Sequence, residues 1–304
     1  MSRFAPVFVI IAASLWGIDG IILRPTLFNL PVPLVVFIES IIVALLLSPI
    51  IIKQYHKIKT LKLGDWLSFF GVAFFGGVVG TMAITKALFY VNYVNLSIVI
   101  LIQKLQPVFA LLLAAVLLKE RLPREFFMWA GFAIFGAYLM TFGVKLPNLD
   151  TGEYTILAGT FALLAAASFG SSTVLSKRAL KNVSFEMGTY LRFSMSALIL
   201  LIVVTGLGNF SDVGRITEIQ WWIFLLIAFT TGGPAIFLYY YGLKKITASV
   251  ATICELAFPL TAVILEYFIR GNLLNIVQWM GVFILISSMV KVSGIQLGEE
   301  PTQK

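Results

Sequence analysis

Long apolar stretches alternate with short polar ones along this chain, and the alternation is written twice. The apolar stretches fall near 6–23, 33–52, 66–89, 95–118, 125–143, 155–176, 186–205, 220–242, 248–269 and 275–292. Each has about the length that a helix crossing a hydrocarbon layer needs. Ala12-Ala13-Ser14-Leu15-Trp16-Gly17 recurs as Ala165-Ala166-Ala167-Ser168-Phe169-Gly170, and Trp129-Ala130-Gly131 as Trp279-Met280-Gly281. Gln103-Lys104-Leu105-Gln106-Pro107 recurs in outline as Glu255-Leu256-Ala257-Phe258-Pro259. The offsets of 153, 150 and 152 need only small loop deletions to align residues 1–147 with 148–304 as two repeats. Five stretches per repeat is an odd number, so the second repeat enters the membrane from the opposite side. Such inverted duplications build one midplane site with two exits. The pattern predicts an all-α membrane protein with ten transmembrane helices, arranged as two inverted five-helix repeats around a central cavity.

Composition agrees with a lipid solvent. Apolar residues make up 60% of the chain and charged residues 12%, about half the charged share of a soluble domain. Mean hydropathy is +0.98. Short loops leave no room for a soluble catalytic domain. Cys254, the one cysteine, excludes a disulfide within the chain and any multi-cysteine metal site, and reads as a small packing residue. Arg3 followed by an apolar run resembles a signal peptide, but the run continues to Leu23 and nine more stretches follow, so an uncleaved first helix is expected.

The net charge of +8 follows topology and does not indicate nucleic-acid binding. With the N-terminus inside, fifteen Lys and Arg fall on inner segments and five (Arg24, Lys86, Lys145, Arg215 and Arg270) on outer ones. That bias places both termini in the cytoplasm of a multi-pass protein of the cell membrane. The inner lysines also suit anionic lipid headgroups. Gly76/Gly80 and Ala133/Ala137 are small-xxx-small pairs that let helices approach closely; they serve packing within one chain or between two, so a homodimer stays open.

Pro107 and Pro259 lie deep in the fourth and ninth stretches, at matched positions. A proline inside a helix removes one hydrogen bond and clashes with the preceding turn. In a membrane such a break survives only where protein or a wet cavity satisfies the freed groups. Matched helix breaks therefore mark a central site. Ionisable residues within the stretches are Asp19, Glu39, Lys104, Glu186, Arg192, Glu255 and Glu266; each costs roughly 2.5–3.5 kcal/mol or more at bilayer depth. Lys104 and Glu255, beside the two prolines, are the leading pair. They would neutralise each other, or bind a substrate carboxylate and ammonium, or Glu255 would carry a coupling proton; a purely structural ion pair is the alternative. Gln103 and Gln106 add hydrogen-bonding capacity. Glu39 and Arg192 occupy equivalent positions, and a local partner is expected for each. Asp19 lines an outer vestibule or neutralises Arg24. Glu186 favours a helix start, and Glu266 pairs with Arg270 at i,i+4 spacing.

The segment Leu96–Gly143, with Pro107-Val108-Phe109-Ala110 and then Leu118-Lys119-Glu120-Arg121-Leu122, resembles the EamA-type transporters of the drug/metabolite transporter superfamily. Ala12–Gly17 fits the same family, and the resemblance covers essentially the whole chain. It implies a central cavity lined chiefly by helices one, three, four, six, eight and nine. Trp16, Gln103, Lys104, Phe169, Tyr239 and Glu255 are then the substrate-binding candidates. It implies a secondary transporter of small polar or zwitterionic metabolites, such as amino acids or amines, with export as the common direction. The second repeat departs from the family pattern: Arg270-Gly271-Asn272-Leu273 stands where the first has Leu118-Lys119-Glu120-Arg121, so the role of Glu120 is not duplicated.

An intramembrane enzyme would need a nucleophile with a base, a metal cluster or an aspartate pair. The single histidine, His56, lies in a basic loop, and no H-E-x-x-H, G-x-S-x-G or nucleotide-binding loop motif occurs. No enzyme, cofactor or metal is expected; the expected partners are lipid, a small-molecule substrate and, as the open question of coupling, a proton. A passive channel is the remaining rival, separated from a carrier by saturable counterflow.

Overall fold

Inside a bilayer every backbone polar group must be satisfied within the chain, which leaves the apolar runs little choice but to form helices. The computed structural model describes residues 4–90, 97–146, 154–270 and 274–295, and among them there is no strand. Among the described residues, ten apolar helices follow one another, with the shorter helix Pro49–Ile58 between the second and third: α1 Ala5–Leu27, α2 Val32–Leu47, α3 Leu63–Tyr90, α4 97–118, α5 Arg124–Phe142, α6 Thr155–Ala179, α7 Phe185–Gly206, α8 Glu218–Leu243, α9 248–270 and α10 Ile276–Ile295. Nine are long and apolar enough to cross a membrane, and α2 is a shorter apolar helix of 16 residues. Because the helices alternate in direction, the starts of odd-numbered helices share one face, called near here, and their ends share the far face.

The second stretch is shorter than its hydropathy predicts. It was expected to run to residue 52, but α2 ends at Leu47 and a separate helix, Pro49–Ile58, begins at once. Pro49 has no N–H to continue the ladder, and the second helix bends again at Gln54 (φ −118°, ψ 18°). The expected breaks in the fourth and ninth helices are present, slightly displaced. α4 is interrupted by a turn at Lys104-Leu105 and α9 by one at Glu255-Leu256. Pro107 and Pro259 then sit in the first turn of the restarted segments, where a missing N–H is tolerated. Two further irregularities also match between the halves. α3 widens to π geometry over Ala73–Gly80 and α8 over Ala228–Gly232, the latter just before Pro234.

The first helices of the two halves differ. α6 is one continuous α-helix of 25 residues. α1 leaves α geometry at Asp19, passes through a π turn to Leu23 and ends as a 3-10 turn over Arg24–Leu27.

Packing interleaves the halves. α1 packs against α8 and α9, while α6 packs against α3 and α4; α2 pairs with α7, and α5 with α10. In this arrangement the second and fifth helices of each half pair with their equivalents, and each first helix packs against the opposite half. The α5–α10 crossing is tight because glycines meet there. A Cβ added to Gly136 would lie 2.9 Å from the Gly281 carbonyl oxygen, and Ala133 and Ala137 on the same stretch are fully buried. The Gly76/Gly80 pair faces α6: a Cβ on Gly76 would lie 2.9 Å from Ser172 Cβ, and one on Gly80 2.9 Å from the Phe169 ring. Both small-residue pairs thus serve packing inside one chain.

Candidate functional site

The interleaved helices enclose a cavity of about 800 Å³, within the range of small-molecule sites. Trp16, Gln103, Lys104, Phe169, Tyr239 and Glu255 all line it, as do Pro107 and Pro259. The two helix breaks place their turn residues on the cavity wall, so Lys104 and Glu255 project from matched points of α4 and α9.

Glu255 sits in a nest of neutral donors from three other helices. Tyr239 of α8 donates to Oε1 at 2.6 Å, Thr173 of α6 donates to the same oxygen at 3.1 Å, and the Gln106 amide of α4 donates to Oε2. Thr173 and Tyr239 hydroxyls also meet at 2.9 Å. Trp16 lies beside this group, its ring 5.3 Å from that of Tyr239 at an angle of 55°. Three donors on its two oxygens fix the Glu255 side chain in one orientation.

Lys104 does not pair with Glu255. Its Nζ donates to Thr141 Oγ1 at 2.9 Å, on the last turn of α5, and lies 5.8 Å from the Phe142 ring centre. The two charges thus diverge within the same cavity, one toward α5 and the other toward α8. Glu39 and Arg192 are likewise apart, each with the local partner expected. Arg192 donates to the Tyr240 hydroxyl at 3.4 Å, and Glu39 belongs to a cluster with α1.

That cluster forms the far end of the cavity. Arg24 Nη2 lies 2.7 Å from Asp19 Oδ2 and 3.2 Å from Glu39 Oε2, while its Nη1 donates to Thr85 Oγ1 at 3.2 Å. Asp19 therefore does both things expected of it, lining the vestibule and neutralising Arg24. Sequence reasoning counted Arg24 as an outer loop charge; the 3-10 end of α1 carries it back inside, where it is 7% exposed. Glu186 sits in the first turn of α7 as expected. The side chains of Glu266 and Arg270 lie outside the described residues.

At the near end, Glu120 has a role that its motif did not specify. Its Oε1 accepts the Ala248 N–H at 2.8 Å, and its Oε2 accepts the Ser249 N–H at 3.1 Å and hydroxyl at 2.5 Å. The loop after α4 therefore caps the first turn of α9, tying the two halves together. Thr173 was missed too; the polar run Ser171-Ser172-Thr173 inside an apolar helix was the signal for it.

The cavity wall is rich in polar atoms lacking partners. Among the described residues, seven buried side-chain N or O atoms make no hydrogen bond. Six belong to cavity residues: Asp19, Glu39, Gln103, Ser172, Thr231 and Thr252. Buried polar groups are normally paired, so these six atoms leave hydrogen-bonding capacity unspent in the residues around the cavity.

Residues 3–142 and again 156–294 match the EamA-like transporter family. The chain belongs to that family. It is 47% identical over 286 residues to the riboflavin transporter ImpX of Fusobacterium nucleatum, covering 94% of this chain and 96% of that one. An uncharacterized transporter of Clostridium kluyveri is 26% identical over 265 residues, covering 85% and 83% of the two chains. A protein of known crystal structure superposes with a TM-score of 0.68 over 96% of this chain and 98% of its own, at 14% identity, which concerns the fold alone. Membership of the family makes the chain a multi-pass membrane transporter of a small molecule, and the central cavity is the place to look for that molecule.

Proposed function

We propose that this carrier moves riboflavin across the cytoplasmic membrane by alternating access, with both termini in the cytoplasm. The observation that carries the substrate is the 47% identity, over nearly the full length of both chains, to a riboflavin transporter. The cavity's chemistry supports it. Riboflavin joins a flat tricyclic ring, with a hydrogen-bonding pyrimidine edge, to a polyol chain. Trp16, Phe169 and Tyr239 offer aromatic faces, and the unpaired Gln103 amide and the Ser172, Thr231 and Thr252 hydroxyls offer partners for the edge and the polyol. Glu255 and Lys104 are proposed to bind substrate at the two helix breaks.

Residues 1–147 and 148–304 are the two repeats, but the contacts favour mixed moving bodies. α1, α8 and α9 form one group and α3, α4 and α6 the other, with the α2–α7 and α5–α10 pairs beside them. Rocking these groups opens the cavity to each face in turn. Net direction follows the gradients, so export is one of two directions the same cycle supports. The near face carries exposed or half-exposed Lys53, Lys59, Lys62, Lys119, Arg121 and Arg124, which supports its placement in the cytoplasm.

The test is counterflow in proteoliposomes loaded with unlabelled riboflavin and given labelled riboflavin outside. Saturable uptake, blocked by excess riboflavin and not by pooled amino acids and amines, is the expected result. A second reading, a small zwitterionic amino acid or amine as substrate, is favoured by the presence of Lys104 and Glu255 in one cavity without an ion pair between them. Exchange of the amino-acid pool without exchange of riboflavin would put that reading in place of the first. Linear, unsaturable flux without counterflow would indicate a passive channel.

A further inference from the structure

We propose that Asp19 and Glu39 form the binding site for one monovalent cation, a proton or a sodium ion, whose occupancy controls the far face of the carrier. Charge balance is the first ground. Arg24 holds one positive charge and shares it between two carboxylates, all three residues being 7–8% exposed. With both acids ionised the cluster retains one excess negative charge in a setting where unbalanced charge is costly. Two carboxylates that reach the same guanidinium nitrogen also repel, and a cation held between them relieves that repulsion.

Unused coordination is the second ground. Arg24 engages Oδ2 of Asp19 and Oε2 of Glu39, while Oδ1 of Asp19 and Oε1 of Glu39 have no hydrogen-bond partner. Each is a buried acceptor that a protonated neighbour, or an oxygen-seeking cation, would satisfy. In the proton case the only bond that forms is O–H at one of these carboxylates, and the same bond breaks on release. The other charged groups on surrounding helices are occupied elsewhere. Arg192 reaches Tyr240, Lys86 lies over the Tyr90 ring, Lys104 bonds Thr141, Asp212 pairs with Arg215, and Glu255 is held by its three donors; the side chains of Glu266 and Arg270 are outside the described residues.

Position is the third ground. The cluster joins α1 to α2 and, through Thr85, to α3. α1 and α3 belong to different groups in the packing, so the cluster crosses the seam that must part when the far face opens. A cation bound there changes the strength of that tie, and by linkage the opening of the seam changes the affinity for the cation. Glu255 is a weaker candidate for this task, since both of its oxygens are already satisfied. The inference rests on the carrier reading proposed above, but not on riboflavin as its cargo.

Two measurements on the full purified chain test it. Tryptophan emission is titrated between about pH 5 and 9 in sodium-free buffer, and then with NaCl at fixed pH, because Trp16 lies one turn from Asp19. The expected result is one transition, with pH or with sodium, that Asp19→Asn and Glu39→Gln each abolish; which ion produces it names the cation. Either variant leaves one acid to balance Arg24, so both are expected to fold, with wild-type elution and melting as the check. No transition with either ion, or one that survives in both variants, overturns the proposal. In proteoliposomes, a gradient of that cation is expected to drive riboflavin uphill by up to roughly tenfold per tenfold gradient, and either substitution is expected to remove the uphill component. Riboflavin exchange indifferent to both gradients overturns the cation site and leaves the substrate standing. A titration removed by both substitutions, without riboflavin exchange, supports the cation site and rejects the substrate alone.

Discussion

Carboxylates tie helices together at the two faces of the molecule in opposite ways. At the near end a single acid, Glu120, meets two backbone amides and one hydroxyl, and both its oxygens are used. At the far end two acids divide one guanidinium, and each has an oxygen left over. The near tie is a helix cap, in which three neutral donors engage both oxygens of one acid. The far tie is an ionic cluster that is under-compensated as it stands. A closed face held by a saturated cap opens through mechanical strain alone; one held by an unsaturated cluster responds to what binds it. The asymmetry follows from the sequence, since Asp19 and Glu39 have no acidic counterparts at the equivalent residues 172 and 192 (Ser172 and Arg192), while Arg24 alone keeps its charge type, as Lys177.

The sharpest way to break the comparison is Arg24→Ala. It strips two buried carboxylates of their shared counter-charge, and losing one partner of a buried ionic group costs about 3–5 kcal/mol. A marked fall in the thermal unfolding midpoint is expected, partly restored in the Arg24→Ala, Glu39→Gln double variant, which removes one of the stranded charges. A midpoint unchanged by Arg24→Ala would mean that the cluster is solvated and carries no tie.

Midway between the two ends, Glu255 provides the next largest effect. Glu255→Gln keeps the shape but exchanges a charged acceptor for a neutral amide that must donate from one of its two ends. Hydrogen bonds to charged groups contribute about 1.5–3 kcal/mol, so riboflavin counterflow is expected to fall roughly ten- to hundredfold at an equal amount of folded protein. Unaltered counterflow would reduce Glu255 to a packing role and leave Gln103 and the hydroxyls as the substrate contacts.

Much of this was legible because the membrane enforces it. Ten apolar runs became ten helices because lipid offers the backbone no other partner, and the matched Pro107 and Pro259 pointed to the breaks. What sequence order hides is direction. Lys104 and Glu255 looked like partners because each sits beside one of the matched prolines, yet one reaches Thr141 and the other Tyr239. Arg24 looked like a loop residue because the apolar run ends at Leu23 and Pro25 follows. A 3-10 turn returns it to the interior, and no hydropathy pattern distinguishes that turn from a loop. Pro49 shortened α2 for a reason visible in the sequence, but hydropathy continues across the break and masks it.

At the near end, Glu120→Ala removes the acceptor for two first-turn amides of α9. Losing an N-terminal cap costs about 0.5–2 kcal/mol, and Thr247 still accepts from the Val250 N–H. Hydrogen exchange is expected to rise roughly two- to thirtyfold at Ala248 and Ser249 and little beyond Ala251, with the far-face cluster undisturbed. Exchange that rises along the whole of α9 would show that the cap supports the helix and not only its junction with α4.

The smallest effect separates the nest's hydroxyls from its aromatic wall. Tyr239→Phe deletes the 2.6 Å hydrogen bond to Glu255 Oε1 but keeps the ring against Trp16. Thr173 remains on the same oxygen, so Oε1 is not stranded, and a loss of about 0.5–1.5 kcal/mol, or roughly two- to tenfold in riboflavin affinity, is expected. Thr173→Val alone should cost a similar amount. Together they leave Oε1 without either donor, and the double variant should lose more than the sum, as residues sharing one acceptor do. Quenching of riboflavin fluorescence by the purified carrier measures all three. Strict additivity would mean that water replaces each hydroxyl in turn, making Oε1 a solvated oxygen instead of a member of the same saturated class as the near-end cap.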